Sequence, residues 1–190
     1  MVQALVKPVL LAEFLAMPET KPASEFINGQ IIKKLMPQGQ HSTLQGALTT
    51  QINAATQLQK VAWAFLELRC TFGGRSIVPD IAVFSWAHIP TNEDGTAANQ
   101  FNQPPDWTIE ILSPGQSSTR VMSNILHCLN NGTTLGWLID PAEQIVLVFQ
   151  PGQIPLSLEE LGDRLIVPAF ANQLQLTVQN LFGWLKVAQK

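Results

Sequence analysis

Apolar and polar positions recur along this chain at two spacings, one typical of helices and one typical of strands. The segment after His41 has the helical spacing and predicts an amphipathic helix of roughly five turns. Before it, two short strands are predicted on either side of Asn28-Gly29, because this pair favours a tight hairpin turn. A shorter helix is expected around residues 10–16.

The middle of the chain predicts more strands and a second long helix. "VAWAFLELRCTF" and "SIVPDIAVFSW" flank the pair Gly73-Gly74 and predict a second hairpin. "DWTIEILSP" predicts a strand, the segment after it a helix that ends at Gly132, and "TLGWLIDP" and "QIVLVFQPG" two further strands. A terminal helix is expected over about 177–187. Hairpins followed by alternating strands and helices predict an α/β (α+β) fold, a mixed β-sheet with flanking helices.

Composition narrows the class of protein. A length of 190 residues with 46% hydrophobic content predicts one domain over residues 1–190. The formal net charge of −3 and the absence of a Lys/Arg cluster give no sign of non-specific nucleic-acid binding. The chain has no apolar run near the ~20 residues of a membrane span, and its N-terminus lacks the basic region of a signal peptide. Because Cys70 and Cys128 form no CxxC motif, we expect free thiols in a cytoplasmic protein.

Two acids lie within apolar strands of a chain that is poor in charge. Charged residues make up only 13% of the sequence, against a usual share of ~25%, yet Asp80 interrupts "IVPDIAVF" and Glu110 interrupts "WTIEIL". A buried carboxylate is costly unless a cation or hydrogen-bond donors compensate it. If the two strands are neighbours, the pair suits a hard divalent ion. Alternatively, each acid lies at a strand end and binds backbone amides or an arginine.

The helix after Glu110 has one polar stripe. Arg120, Asn124, His127 and Asn131 recur at helical spacing. The stripe is either the solvent-exposed face of the helix or a surface that overlooks the acids. Glu25, which precedes the first hairpin turn, is a third candidate acid and is weak on its own.

Five motifs in order resemble a known family: "EFINGQI", "MPQGQHSTLQ", "SIVPDIAVF", "WTIEILSP" and "GWLIDP". They are similar to a large bacterial family of restriction endonuclease-like proteins, long known only as a domain of unknown function. That family resembles the PD-(D/E)XK nuclease superfamily in fold. The resemblance covers roughly residues 20–150 and most of the remaining tail. It implies a mixed sheet with flanking helices as the core.

The resemblance also implies roles for single residues. Asp80 matches the acid of the "PD" motif and Glu110 the second acid, while Glu25 and His41 match family positions at the first hairpin and at the start of the first long helix. By this resemblance Asp80, Glu110 and the carbonyl of Ile111 would hold Mg²⁺ or Mn²⁺. DNA is the implied substrate.

One departure from the family pattern concerns the lysine. The superfamily has a lysine two residues after the second acid, where this chain has Leu112. In the family the lysine usually lies in the following helix, at the position of Asn124. Arg120, one turn earlier on the same stripe, is the expected substitute. Three other basic residues are more distant substitutes, namely Lys33, Lys34 and Arg75.

The sequence therefore predicts a metal-dependent endonuclease that hydrolyses phosphodiester bonds in DNA. The alternatives are a catalytically degenerate nuclease fold that acts as a binding or assembly module, and an unrelated structural domain. Because so few residues are charged, an exposed apolar patch and a homodimer are expected. The polar segment 91–105 is expected to fold over the site.

Overall fold

The protein is described by a computed structural model that covers residues 9–188. The first eight residues, part of the segment for which no signal peptide is predicted, lie outside that range. The strands are β1 (Ser24–Ile27), β2 (Gln30–Lys33), β3 (Ala62–Leu66), β4 (Cys70–Phe72), β5 (Arg75–Ile77), β6 (Ile81–Ser85), β7 (Trp107–Ile111), β8 (Leu135–Asp140), β9 (Ile145–Phe149) and β10 (Leu156–Leu158). The helices are α1 (Leu11–Leu15), α2 (Gly39–Thr56), α3 (Ser118–Asn130) and α4 (Val178–Gly183), with 3-10 turns at Trp86–His88 and Ala169–Ala171.

The strands form two sheets. A four-stranded antiparallel sheet has the order β2-β1-β5-β4, and a six-stranded sheet has the order β10-β9-β8-β7-β6-β3. In the second sheet β7 and β8 are parallel, and α3 connects them, whereas the other pairs are antiparallel. The predicted mixed sheet with flanking helices is confirmed, with strands divided between two sheets.

The first predicted hairpin is confirmed, and the second is only partly correct. Asn28 and Gly29 have φ angles of 51° and 78° and connect β1 to β2. The second predicted hairpin contains four strands, because each long apolar stretch passes from one sheet to the other. One break lies at Glu67, which has a φ of 46°, and the other lies at Pro79, which cannot donate a ladder hydrogen bond. Asp80 is therefore placed where the two sheets meet.

Helices pack on both faces of the six-stranded sheet, and the alternation of β7 decides what each face receives. Ile109 and Ile111 belong to the core cluster that contains the apolar residues of α2. Glu110 projects to the opposite side, which α3 covers. A Cβ atom at Gly136 of β8 would overlap Cγ2 of Ile125 in α3. The absence of a side chain at Gly136 therefore allows α3 to lie close to the sheet.

Several expectations for the rest of the chain need correction. The segment 91–105 does not line the cavities beside the acids; it is anchored by Phe101, which is 3% exposed and packs on Phe84 at 4.9 Å between ring centroids. The terminal helix α4 ends at Gly183, earlier than expected, whereas the 18 residues of α2 agree with the predicted five turns. Among residues 9–188, none of the helices combines the length and apolar character that crossing a bilayer requires.

Candidate active site

Three acids and one lysine from four different strands or strand ends meet between the two sheets. Asp80 precedes β6, Glu110 lies in β7, Glu25 lies in β1, and Lys34 follows β2 directly. The acids are only 2%, 3% and 4% exposed respectively. The fold therefore brings together residues that are distant in sequence and removes them almost completely from water.

Lys34 is the cation of this cluster. Its ammonium nitrogen Nζ donates to Asp80 Oδ1 at 2.7 Å and to the carbonyl oxygen of Val78 at 2.6 Å. The same nitrogen lies 4.0 Å from Glu110 Oε2. One positive charge is thus shared by the two acids that match the family motif.

The local fold explains why Lys34, and not its neighbour, reaches the acids. The backbone N–H of Lys34 donates to the carbonyl of Ala23 at 2.9 Å, so the pairing of the two hairpin arms continues one residue beyond the end of β2. Side chains alternate across a strand. Glu25 is paired with Ile32, so the side chain two residues further, that of Lys34, lies on the side of Glu25. Lys33 alternates to the other side and is exposed.

The charges around Lys34 determine its ionisation. Burial by itself lowers the pKa of the ammonium group, but the carboxylates of Asp80, Glu110 and Glu25 raise it, and the net shift of the Lys34 pKa is upward. Lys34 is therefore positively charged at neutral pH.

Both carboxylate oxygens of Asp80 have partners. Oδ1 accepts from Lys34, and Oδ2 accepts from the backbone N–H of Ile111 at 2.8 Å. The N–H of Ile111 is free for this contact because the β6–β7 ladder ends with Ile81 opposite Ile109. The N–H and C=O of one strand residue point to the same neighbour, so the carbonyl of Ile111 is directed to the Asp80 side.

Glu110 is incompletely satisfied. Its Oε1 atom is buried and has no hydrogen-bond partner. Burial raises the pKa of the Glu110 carboxyl, Lys34 opposes this rise, and the nearby Asp80 and Glu25 add to it; the net shift is strongly upward. A buried acceptor without a donor costs stability, and it is available to an incoming cation or ligand.

Glu25, the third acid of the cluster, is hydrogen-bonded to Asn124 of α3. Glu25 Oε1 accepts from the backbone N–H of Val78 at 2.9 Å, and Oε2 accepts from Asn124 Nδ2 at 3.2 Å. Glu25 thereby fixes the backbone two residues before Asp80. The Oδ1 atom of Asn124 is buried and has no hydrogen-bond partner.

His41 lies on the other side of Asp80, in the first turn of α2. Its Nε2 atom is 3.6 Å from Asp80 Oδ1, and its Nδ1 atom is within 3.2 Å of Ser113 Oγ. The His41 side chain is almost fully buried. The sequence indicated His41 but gave no indication of Ser113.

The polar stripe of α3 is divided among three environments. Arg120 is exposed and, within residues 9–188, forms no ion pair. Asn124 contacts Glu25, as described above. His127 lies away from the acids, where it stacks on Phe72 with 4.9 Å between ring centroids. Arg120 is therefore near the rim of the site. The cation beside Asp80 and Glu110 is Lys34 and not Arg120, the expected substitute.

Two cavities reach the acid cluster. The first, of about 430 Å³, is lined by Lys34, Asp80, His41 and Ser113 among others. The second, of about 260 Å³, adjoins Lys34, Glu110, Asn124 and Arg120 among others. We name them the His41 cavity and the Asn124 cavity. Lys34 lines both, so a ligand entering from either side meets the same ammonium group.

The residues at the site fit a divalent ion held by few protein ligands. Among residues 9–188, no three His, Cys, Asp or Glu side chains are grouped so that they could hold a metal, which excludes a closed structural zinc site in that range. Two carboxylates, one carbonyl, waters and a substrate phosphate are the usual environment of Mg²⁺. The unpartnered Oε1 of Glu110 provides a free oxygen atom, and the carbonyl of Ile111 is directed to the Asp80 side.

Lys34 is the residue that sequence reasoning ranked too low. The sequence places Lys34 among the more distant substitutes, yet within residues 9–188 its ammonium nitrogen forms the shortest ion-pair contact with Asp80, at 2.7 Å against 3.6 Å for His41. The register of the Asn28-Gly29 hairpin was an available indication, because it places Lys34 on the side of Glu25. The site thus has a lysine, supplied by a different element from the two that the family pattern suggests.

Comparison with known proteins identifies a family and a solved structure with a similar fold. The family model "Uma2: Putative restriction endonuclease" matches residues 11–179. The fold is similar to that of a crystal structure described as "a putative nuclease belonging to DUF820" from Anabaena variabilis, with a TM-score of 0.93 and 55% sequence identity over 94% of this chain and 99% of that chain. None of the curated proteins compared with the chain matches it. The chain belongs to the Uma2 family of restriction endonuclease-like proteins.

Proposed function

We propose that the protein is an endonuclease that hydrolyses phosphodiester bonds in DNA with a bound Mg²⁺ or Mn²⁺ ion. One observation supports this most directly: Asp80 and Glu110 share one partly buried lysine, and a buried oxygen of Glu110 is left without a partner. Replacing buried charged groups by apolar residues is often neutral or stabilising. Charges arranged in this way are therefore better explained by chemistry than by stability.

In this proposal Asp80, Glu110 and the carbonyl of Ile111 hold the ion. When bound, the ion lowers the pKa of a coordinated water and polarises the scissile phosphate. The contacts of Asp80 with the Ile111 N–H and with Lys34 fix the orientation of its carboxylate. Burial of the acids excludes bulk water, which strengthens their interaction with charged ligands.

Lys34 provides the positive charge that the family pattern assigns to a lysine elsewhere. Its ammonium group lines both cavities and can donate to a phosphoryl oxygen. Negative charge develops on the phosphoryl oxygens in the transition state, and a positioned donor lowers its energy. Removing one such donor typically lowers the rate by about 10²- to 10³-fold.

The remaining predicted site residues have supporting roles. His41, which lines the cavity named after it, donates to the substrate or to the leaving oxygen. Glu25 and Asn124 are positioning residues, because they hold the backbone before Asp80 and touch each other. Arg120, exposed at the Asn124 cavity, binds a neighbouring phosphate of the DNA strand.

Cleavage of plasmid and of labelled single- and double-stranded oligonucleotides, with Mg²⁺ or Mn²⁺, tests the proposal. Asp80→Asn and Glu110→Gln are expected to lose activity by about 10²-fold or more. Glu67→Gln is the matched control, because Glu67 is an exposed acid that lines the same cavity. Cleavage that survives both acid substitutions comes from a contaminant and contradicts the proposal.

A second candidate function is a nuclease fold that binds nucleic acid or a partner without cleaving it. The observation that favours it is the saturation of Asp80, whose two oxygens are both occupied by protein donors. Asn124 at the helix position of the family lysine is consistent with this alternative. Oligonucleotide binding that persists with no cleavage under any metal condition would support the binding module over the enzyme.

We also propose a homodimer and a cytoplasmic location. Leu35 and Met36, which follow Lys34, are 52% and 64% exposed and form part of an apolar rim beside the site. A concentration-independent monomer in sedimentation velocity contradicts the homodimer. Cys70 and Cys128 are free and buried, which suits a reducing compartment.

A further inference from the structure

We propose that Lys34 occupies the cation position of the acid pair in the free protein, so that a divalent ion and a phosphodiester bind cooperatively and the ion alone binds weakly. This inference rests on the proposed function and concerns the order in which the site is filled. Its basis is the position of one ammonium group with respect to two carboxylates.

Lys34 and a divalent ion compete for the same carboxylate oxygens. Lys34 Nζ is 2.7 Å from Asp80 Oδ1 and 4.0 Å from Glu110 Oε2. An ion held by this pair must approach the same two carboxylates, and two cations that share one pair of buried acids repel each other. The ion therefore binds well only if Lys34 moves or if another negative charge enters.

A phosphodiester brings a negative charge and a hydrogen-bond acceptor to the site. Lys34 is already the cation nearest to Asp80 and Glu110. A divalent ion at the same two carboxylates adds positive charge beside the ammonium group, and the negative charge of a phosphodiester reduces the repulsion between the two cations. The phosphate also gives Lys34 an acceptor that replaces Asp80, so the ammonium group is not left unpaired.

The side chain of Lys34 has space to move. Its side chain is 14% exposed and lines both cavities, so space for a phosphate lies on either side of it. Lysine has a flexible four-carbon side chain with rotatable donors. Residues 35–38 form no helix or strand, so the backbone after Lys34 is not held by a ladder.

A purely structural lysine predicts a different behaviour. In that case Lys34 keeps its contacts with Asp80 and Val78 whether or not the site is filled. The affinity for the ion is then independent of the phosphodiester. The two cases differ in binding measurements that need no turnover.

The experiment measures Mn²⁺ binding to the full chain by the loss of the free Mn²⁺ signal in electron paramagnetic resonance, with calorimetry as a second readout. The titration is repeated with saturating ten-nucleotide single-stranded DNA that has phosphorothioate links. We expect the affinity of the wild type for Mn²⁺ to rise about tenfold or more with the oligonucleotide, within the 5- to 150-fold range typical of coupled sites. Lys34→Met is expected to bind Mn²⁺ alone more tightly than the wild type and to gain little from the oligonucleotide.

Lys186→Met is the control, because Lys186 is exposed, has the same charge and lines neither the His41 cavity nor the Asn124 cavity; it is expected to behave as the wild type. Lys34→Gln provides a second variant should Lys34→Met fail to fold, and the wild-type comparison requires no variant. Equal Mn²⁺ affinity with and without the oligonucleotide overturns the inference and leaves the proposed function intact. Weaker Mn²⁺ binding in a folded Lys34→Met protein also overturns it. A folded wild type that binds no Mn²⁺ in either condition overturns the proposed function as well.

Discussion

The substitution Lys34→Met tests whether the cation of the site also holds the fold together. Methionine has a similar length and replaces the ammonium group by an apolar end. The variant leaves Asp80 and Glu110 without their shared positive charge, although both are almost completely buried. Asp80 keeps only the donation from the N–H of Ile111, and Glu110 has no charged partner left.

The expected loss of stability follows from the burial of the pair. Removing one partner of a buried ion pair typically costs about 3–5 kcal/mol, because the remaining charge is left uncompensated. The Lys34 and Asp80 side chains are 14% and 3% exposed, so solvent screening is small. For a chain of this size each kcal/mol lowers Tm by about 2–4 °C, so the expected decrease is roughly 6–20 °C.

Urea unfolding at pH 7 with tryptophan fluorescence measures this loss. Trp107 and Trp137 are buried, with 4.7 Å between their ring centroids, and report on the core of the six-stranded sheet. The exposed control Lys33→Met is expected to change the free energy of unfolding by less than about 0.5 kcal/mol. Adding Asp80→Asn to the Lys34→Met background is expected to recover part of the loss. A Lys34→Met protein as stable as the wild type would refute the reasoning that links Lys34 to the acids.

Three further outcomes are expected. Glu110→Gln should become more stable relative to the wild type as the pH rises toward neutral. The raised pKa of Glu110 contributes to the free energy of unfolding of the wild type below the pKa of the unfolded state, and this contribution is lost as the pH rises through the pKa of the folded state. Parallel pH–stability curves of the two proteins from pH 4 to 8 would contradict this. Asn53→Ala removes two side-chain hydrogen bonds to the N–H and C=O of Ala64 on the edge strand β3. The loss should cost about 1–3 kcal/mol of stability and promote edge-to-edge association. Sedimentation velocity measures the association, and an unchanged profile would argue against a role of Asn53 in protecting the edge. Gly136→Ala places a Cβ against Ile125 and should cost about 1–3 kcal/mol in urea unfolding, whereas an unaffected midpoint would show that α3 can shift freely.

The sequence by itself determined the elements that depend on neighbouring residues. The Asn28-Gly29 turn, the helical periodicity of α2 and α3, and the strand around Glu110 were all predictable, because turn chemistry and side-chain period act over a few residues. The family resemblance added Asp80, Glu110, Glu25 and His41, which the structure brings to one place.

Only the tertiary structure decided which residues of those elements come into contact. The contact of Lys34 with Asp80 spans 46 positions and that of Glu25 with Asn124 spans 99. No local pattern specifies such contacts, because the partner of a buried charge depends on which strands become neighbours and where a strand leaves one sheet for another. The two breaks at Glu67 and Pro79 placed Asp80 where the two sheets meet. The cation beside Asp80 is therefore the lysine that follows β2, and not one from α3.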